Sequence, residues 1–180
     1  MTTSRPTRRR HVRGKRLVLA SGLVLQVRPI RPDDVDALRR GFARLTPEQV
    51  RLRVFHRMND LSEEIAERLC NVREEHGAAF VATDADGEIR AEARLYIGPT
   101  PDRAEFALVV DPELVGKGVG RALMQHLLDE ARRRGLAELW GAVLTENVGM
   151  LDLAQGLGAT REGVAGEPGL LHVRFDLSLM

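Results

Sequence analysis

The sequence predicts one domain of the α/β (or α+β) class, built on a single mixed β-sheet. A chain of 180 residues can bury one substantial core but hardly two. Its composition, 43% hydrophobic and 29% charged, is that of an ordinary globular protein. Segments with the periods of strands and helices follow one another as β-α-α-α-β-β-β-α-β-α-β, an order that favours helices packed on one sheet.

The first strand and the first helix are separated by prolines. Leu23 to Arg28 is rich in β-branched and alternating residues, which predicts a strand. We expect Asp33 or Asp34 to cap a helix that runs to about Phe42, because a carboxylate there accepts from unpaired backbone N–H groups.

Two further capped helices are predicted next. Thr46-Pro47-Glu48-Gln49 places a capping threonine, a first-turn proline and a glutamine at the spacing of a helix start, and this helix should reach about Val54. Ser62 should cap the other helix. Its inward-facing residues are predicted to be Ile65, Ala66 and Leu69.

The middle of the chain is predicted to form three consecutive strands. Ala78 to Ala82 and Ile89 to Ile97 flank Asp84-Ala85-Asp86-Gly87, and Asp-Gly between apolar runs is a strong hairpin signal. Ala104 to Val110 is the third strand. The remainder should contain a helix from about Gly118 to Arg134, a strand at 139–144, a helix at 147–157 and a closing strand at 170–177.

The N-terminal segment is strongly basic. Residues 1–16 contain seven arginines and lysines and no acid, so 20 basic residues remain against 26 acidic ones in the rest. Such a segment could bind nucleic acid or an acidic partner. Because no aromatic residue is interleaved for base stacking, we favour a solvated flexible tail over residues 1–20, no nucleic-acid partner, and a folded domain over 21–180.

The cysteine, histidine and hydropathy patterns limit which kinds of site and which cellular location the sequence predicts. The single cysteine, Cys70, excludes an internal disulfide and favours a small core residue over a nucleophile. The histidines lack metal-ligand spacing, so no metal is expected, and we expect His126 to be solvated on the outer face of its helix. No apolar run suits a membrane span or a secretory signal, so no membrane partner is expected and a cytoplasmic location is predicted.

A glycine-rich turn, Gly116-Lys117-Gly118-Val119-Gly120-Arg121, joins the third consecutive strand to the long helix. It gathers backbone N–H groups and a helix N-terminus, an arrangement that suits a phosphate. A dinucleotide-binding fingerprint fails because its third glycine would fall at Arg121, and a Walker loop fails because Gly118 follows Lys117. Three glycines would be costly in a mere connection, because each adds flexibility.

Two segments together resemble the GNAT acetyltransferase superfamily. The first is Val109-Val110-Asp111-Pro112 with Val115 to Gly120, and the second runs from Val143 to Met150 and on to Leu157-Gly158-Ala159. The resemblance implies a mostly antiparallel mixed sheet of about six or seven strands with helices on both faces. It also implies acetyl-CoA as co-substrate.

Within this superfamily, the chain is most similar to the catalytic domain of bacterial protein lysine acetyltransferases (Pat). Arg28 to Asp34, Arg51 to His56 and Ala104 to Ala107 carry that similarity. It implies transfer of acetyl to protein lysines, notably on AMP-forming acyl-CoA synthetases. A small-amine acetyltransferase and a catalytically weak acyl-CoA sensor are the alternatives.

The resemblance also implies roles for particular residues. Backbone groups of Leu108, Val109 and Val110 would bind the pantetheine arm. The N–H groups of Gly116, Lys117, Gly118, Val119, Gly120 and Arg121 would bind the pyrophosphate. Asn147 would bind pantetheine, although asparagine also suits a helix N-cap there.

Glu105 is the candidate general base, because a lysine-like ammonium with a pKa of about 10.4 must lose a proton before attack. We expect an apolar cleft to raise its pKa; the alternative is an exposed strand carboxylate. The Val110 N–H would stabilise the oxyanion, and transfer would be direct.

Several positions depart from the family pattern or stay open. Val115 replaces a polar loop residue, and Ala154 and Ala142 stand where relatives place a tyrosine acid and a glutamate. Glu92 and Tyr96 share a strand face and could line the acceptor cleft. Arg51 and Arg53 could serve structure or acceptor recognition.

Overall fold

The computed structural model describes residues 14–54 and 60–178. In this part of the chain one sheet of eight strands runs in the spatial order β1-β2-β3-β4-β5-β6-β8-β7. The strands are β1 (Lys15–Val18), β2 (Val24–Pro29), β3 (Gly77–Thr83), β4 (Ile89–Ile97), β5 (Arg103–Val110), β6 (Glu138–Leu144), β7 (Thr160–Val164) and β8 (Glu167–Asp176).

Five α-helices cover this sheet in the described ranges. They are α1 (Val35–Ala43), α2 (Pro47–Val54), α3 (Glu63–Cys70), α4 (Val119–Arg133) and α5 (Val148–Gln155). Helix α4 packs against β3 to β6 and shares the main core with α5, whereas α1 and α3 form a smaller core on the opposite face with Val81 and Ile89. The prediction of a mixed sheet with helices on both faces is confirmed.

The one parallel pair in this sheet is β5 with β6, and it is short. Arg103 to Glu105 pair with Glu138 to Trp140, after which the two strands part. All other neighbours are antiparallel. On the α4 face, the Phe106 ring crosses Gly141, where a Cβ would lie only 2.8 Å from the ring. The parting of β5 and β6 opens the sheet toward the glycine-rich turn.

The predicted helix starts are confirmed in atomic detail for α2 and α3. The Thr46 amide donates to Gln49 Oε1 and the Gln49 amide donates to Thr46 Oγ1, both at 3.1 Å. The Ser62 hydroxyl accepts from the Ile65 amide at 3.3 Å. Each bond satisfies a backbone group that a helix end leaves unpaired.

Other predicted boundaries are also close to the observed ones. The β3–β4 hairpin turns through Gly87 at φ +82°, and α4 is followed by Gly135 at φ +72°, whose left-handed backbone ends the helix. The Asp34 prediction needs correction: its carboxylate accepts from the Arg31 amide at 2.7 Å and binds the Arg28 guanidinium, so it caps the turn before α1 rather than α1 itself.

Two strands were not predicted. Lys15–Val18 pairs with β2 as β1, so the folded domain begins inside the segment that we assigned to a tail over residues 1–20. Thr160–Val164 pairs with β8 as β7. Residues 1–13 of the predicted tail lie outside the described residues.

Candidate functional site

The parted strands leave a cleft of about 420 Å³ between β5, α2, the glycine-rich turn and α5. Its walls come from segments that are far apart in sequence. The residues that line it include Gln49, Leu52, Arg53, Leu108, Val109, Val110, Val115, Gly116, Gly118, Gly120, Arg121, Asn147, Met150 and Leu153. Most of the residues predicted to bind the cofactor are thus brought together.

One end of the cleft is the N-terminus of α4. Gly116 and Gly118 adopt φ values of +75° and +87°, which other residues adopt only with strain. The first intrahelical bond runs from Ala122 N to Gly118 O, so the amides of residues 118–121 precede the helical ladder; none of them donates to a residue in the described ranges, which leaves them able to bind an anion. The Lys117 amide differs, because it donates to Leu114 O at 3.3 Å.

The rim of this anion-binding end carries two basic side chains. Lys117 and Arg121 are both exposed. Arg121 donates from Nη2 to the Gly156 carbonyl at 3.1 Å, which anchors its guanidinium across the cleft against the end of α5. Val115 is 59% exposed, so the position where relatives have a polar residue offers an apolar contact here.

The strand wall of the cleft presents backbone groups to the gap. The Asp111 amide donates to Arg90 O at 2.8 Å, which points residue 111 toward β4. Successive residues in a strand point their backbone groups to alternate sides, so Leu108 and Val110 face the gap while Val109 faces β4. Val109 therefore lines the cleft with its side chain, although we had expected its backbone to bind the pantetheine.

Gln49 is a site residue that sequence reasoning identified only as part of a helix cap. Its side-chain amide donates from Nε2 to the Val110 carbonyl at 2.9 Å, while its Oε1 caps α2. It therefore fixes both the helix start and the strand end at the mouth of the cleft. The bond spans 61 residues, and the local sequence carries no signal for it.

The end of β5 is held by a buried ionic cluster. Asp111, 5% exposed, pairs with Arg44 at 3.0 Å and with Arg90 at 3.1 Å. Arg44 also donates to the Ile89 carbonyl at 2.6 Å. These contacts tie the strand that carries Val110 to α1 and β4.

Asn147 fulfils the helix-capping alternative. Its Oδ1 accepts from the Met150 amide at 3.2 Å, at the start of α5. Because the oxygen is engaged in the cap, only the side-chain NH₂ is left to face the cleft.

Glu105 lies at the point where β5 and β6 part. It is exposed, sits opposite Tyr96 and beside Trp140 in the sheet, and does not line the cofactor cleft. It makes no hydrogen bond or ion pair with a residue in the described ranges. Val109 lies four positions further along the strand, a distance of about 13 Å. The structure thus gives Glu105 an exposed setting, not the apolar one that we expected.

Glu92 shares a sheet face with Tyr96, as predicted, but has different surroundings. It is 5% exposed, and its Oε1 accepts from Arg94 Nε at 2.6 Å. Arg53 lies 4.0 Å away, and burial lowers the pKa of its guanidinium. Glu92 and Arg53 line a second, apolar cavity of about 230 Å³ under α1 and α3. Arg51 pairs at 2.6 Å with Glu48 and with Glu146.

Positions singled out for other reasons lie away from the cleft. Ala154 is 1% exposed in the main core, and Ala142 lies in β6. Cys70 is buried, and desolvation raises the pKa of its thiol to about 11. His126 corrects our expectation of a solvated ring: it is half-buried, 4.4 Å from the Phe80 ring centroid. His56 lies outside the described residues.

No group of three or more His, Cys, Asp or Glu side chains within the described ranges is arranged to hold a metal ion. No helix within them is long and apolar enough to cross a membrane.

Comparisons with known proteins agree with this geometry. The profile of the acetyltransferase (GNAT) family matches residues 41–159. The GNAT domain of S. lividans PAT has a TM-score of 0.83 and 29% identity, and the match covers 91% of this chain and 96% of that one. Acetyltransferase PA5475 of Pseudomonas aeruginosa is 29% identical over 78% of this chain and 77% of its own.

A shorter match concerns a protein-modifying enzyme. The [ribosomal protein bS18]-alanine N-acetyltransferase of Escherichia coli is 43% identical over 53 residues, which are 29% of this chain and 36% of that protein. The family profile spans well over half of the chain and includes the cleft, the glycine-rich turn and α5. The chain belongs to the acetyltransferase (GNAT) family.

Proposed function

We propose that this GNAT enzyme transfers the acetyl group of acetyl-CoA to the side-chain amine of a protein lysine. The observation that carries the proposal is the cleft itself, in which free amides at the start of α4 stand at one end and a parted strand stands along the side. Acetyl-CoA, when bound, supplies a thioester-activated acetyl group.

The residues of the cleft fit an extended molecule with an anionic end. Amides of Gly118 to Arg121 would donate to the pyrophosphate, with the helix dipole and the Lys117 and Arg121 side chains adding positive potential. The Lys117 amide, already bonded to Leu114, would contribute less. The gap-facing backbone of Leu108 and Val110 and the side-chain NH₂ of Asn147 would bind pantetheine.

Glu105 would act as the base. The proton leaves the acceptor ammonium for Glu105 through a chain of water molecules along β5, and the nitrogen lone pair attacks the acetyl carbon. The carbon–sulfur bond breaks and the sulfur leaves as a thiolate, which can take the second proton that the attacking nitrogen loses; because a thiol has a pKa of about 8.5, no strong acid is needed. The Val110 amide would donate to the acetyl oxygen as it becomes negative. No covalent bond to the enzyme forms.

The lysine acceptor is favoured by similarity to PAT over most of both chains. An α-amine is the second candidate, because the shorter match is named for alanine N-acetylation. A small-molecule amine and an acyl-CoA sensor are further alternatives. The lone, buried cysteine suits a reducing compartment, and we propose that the enzyme acts in the cytoplasm.

The test is to incubate wild type, Glu105→Gln and Glu167→Gln with radiolabelled acetyl-CoA and a panel of proteins that includes an AMP-forming acyl-CoA synthetase. Glu167 is another exposed strand glutamate, outside the cleft, and serves as the matched control. We expect Glu105→Gln to lower transfer by about 100-fold or more with unchanged acetyl-CoA affinity.

Two other outcomes would change the account. Full transfer by Glu105→Gln would remove Glu105 from catalysis. Wild type that binds acetyl-CoA but labels no protein or small amine would favour the sensor.

A further inference from the structure

A third concave site, of about 340 Å³, lies where β5 and β6 part, on the sheet face opposite α4. Its floor and walls include Tyr96, Glu105, Trp140 and His172, and the 98–100 turn forms one edge. The chain contains only one tryptophan and one tyrosine, and both are here. None of these four residues lines the cofactor cleft.

Sheet register places an aromatic residue on each side of Glu105. Tyr96 is directly opposite Glu105 in the antiparallel pair with β4, and Trp140 is its partner in the short parallel pair with β6. Residues so paired have Cβ atoms about 5 Å apart. Trp140 is half-buried and its ring meets that of His172 edge to face, with centroids 5.2 Å apart.

The aromatic residues are not explained by core packing. Tyr96 is 57% exposed, and neither Trp140 nor His172 belongs to either core of the described residues. Large exposed rings around a polar group are typical of a binding surface.

The charged side chains around this site favour a cationic ligand. Arg103, at its edge, donates from Nε to Glu138 at 2.8 Å, and Arg174 binds the same carboxylate at 2.7 Å. Both guanidiniums are thus engaged, Arg103 by Glu138 and Arg174 by Glu138 and, at 3.7 Å, by Glu162, whereas Glu105 makes no ion pair with a described residue. A carboxylate with aromatic neighbours can attract an ammonium group by charge and by cation–π interaction.

We propose that this site binds the ammonium end of a long aliphatic amine such as a lysine side chain. The Tyr96 and Trp140 rings flank its methylene stem, and Glu105 receives its nitrogen. Tyr96 and Trp140 are then positioning residues that select a cationic, unbranched stem and hold it on the acceptor side of the parted strands. The inference rests on the proposed function only in assigning this face to the acceptor; ammonium binding itself does not require transfer.

Trp140 provides its own reporter, since it is the only tryptophan. We would titrate the full-length protein with Nα-acetyl-lysine methylamide while following tryptophan emission. Nα-acetyl-norleucine methylamide, which has the same stem without the charge, and alanine amide, which has only a short α-amine, are the matched probes. We expect a saturable change in tryptophan emission with the lysine compound alone. The affinity for this compound should fall by about fivefold in Tyr96→Ala and be retained in Tyr96→Phe.

Kinetics give a second readout that a purely structural role would not produce. Trp140→Ala should raise KM for the lysine acceptor by about fivefold with little change in kcat or in acetyl-CoA affinity, and Trp140→Phe should largely restore it. Equal responses to all three probes, or no response, would overturn the proposal. So would an unchanged KM in Trp140→Ala, even with transfer intact. Failure of the proposed function would instead appear as a wild-type protein that does not bind acetyl-CoA or does not transfer the acetyl group, which distinguishes it from failure of the ammonium site.

Discussion

At the scale of single residues, two glutamates on neighbouring strands show how surroundings decide a role. Glu92 is buried against Arg94 and Arg53, so its charge is already compensated and its oxygens are engaged. Glu105 is exposed and makes no hydrogen bond or ion pair with a described residue, although Arg53 lies near enough to interact with it electrostatically. Glu92 therefore stabilises the sheet face, and Glu105 is the carboxylate that is available to an incoming amine.

His126 gives a pH prediction at the same scale. Desolvation lowers the pKa of its ring, which packs against Phe80, so the folded protein holds the neutral form more strongly than the unfolded chain does. The corresponding stability is present above the unfolded pKa of about 6.5 and is lost as pH falls through the lower folded value.

We expect His126→Gln, measured by urea unfolding, to flatten the loss of unfolding free energy between about pH 7 and pH 5. The His172→Gln variant is the control, because that ring lies on the other face of the sheet. Identical pH slopes for wild type and His126→Gln would show that the ring titrates alike in both states.

At the scale of elements, α2 and β5 are joined by the two ends of one side chain. Gln49 accepts from the Thr46 amide and donates to the Val110 carbonyl. Gln49→Glu keeps the capping acceptor but loses the donor and sets a carboxylate against a carbonyl. Thr46→Ala removes the other half of the cap and leaves the Val110 bond.

We predict that Gln49→Glu weakens acetyl-CoA binding by about tenfold in calorimetry, because the strand end that carries Val110 is released. Thr46→Ala should lower the free energy of unfolding by about 1 kcal/mol with near-normal affinity. If both variants bind acetyl-CoA equally well, the link between α2 and the cleft is not functional.

Elements with strong local signals were predictable, and those that depend on pairing were not. The β3–β4 hairpin and the capped α2 and α3 have turn and cap residues that act within four positions. By contrast, β1 lies in a basic run and β7 is almost wholly exposed, so neither shows the alternation of a half-buried strand. Both are edge-side strands that exist because a neighbour supplies hydrogen bonds.

The candidate site divides in the same way. Phosphate binding by the glycine-rich turn is predictable from the local sequence, since residues Gly116 to Gly120 indicate positive φ values and a following helix. The bond from Gln49 to Val110 and the approach of Tyr96 and Trp140 to Glu105 depend on sheet register across distant segments. The sequence of one segment alone does not predict how it pairs with a distant segment.

At the scale of the whole molecule, the parted parallel pair organises both proposed sites. The cofactor cleft lies on the open side of the divergence, and the aromatic site lies at its vertex. The core around α4 holds β5 and β6 together at one end, and the Asp111 cluster holds β5 at the other. A donor and an acceptor can thus approach each other from two directions along one strand.

The account depends most on the diphosphate being held by the free amides at the start of α4. Gly118→Val places a side chain in that space at a backbone φ of +87°, and Gly22→Val imposes similar strain at φ +85° in a distant exposed turn. The decisive measurement is the calorimetric affinity ratio of coenzyme A to pantetheine, which lacks the diphosphate and the nucleotide. Because both ligands are measured on each variant, loss of stability cancels in the ratio. We predict a large ratio for wild type and Gly22→Val and a fall of about 100-fold in Gly118→Val; an unchanged ratio in Gly118→Val would contradict the account.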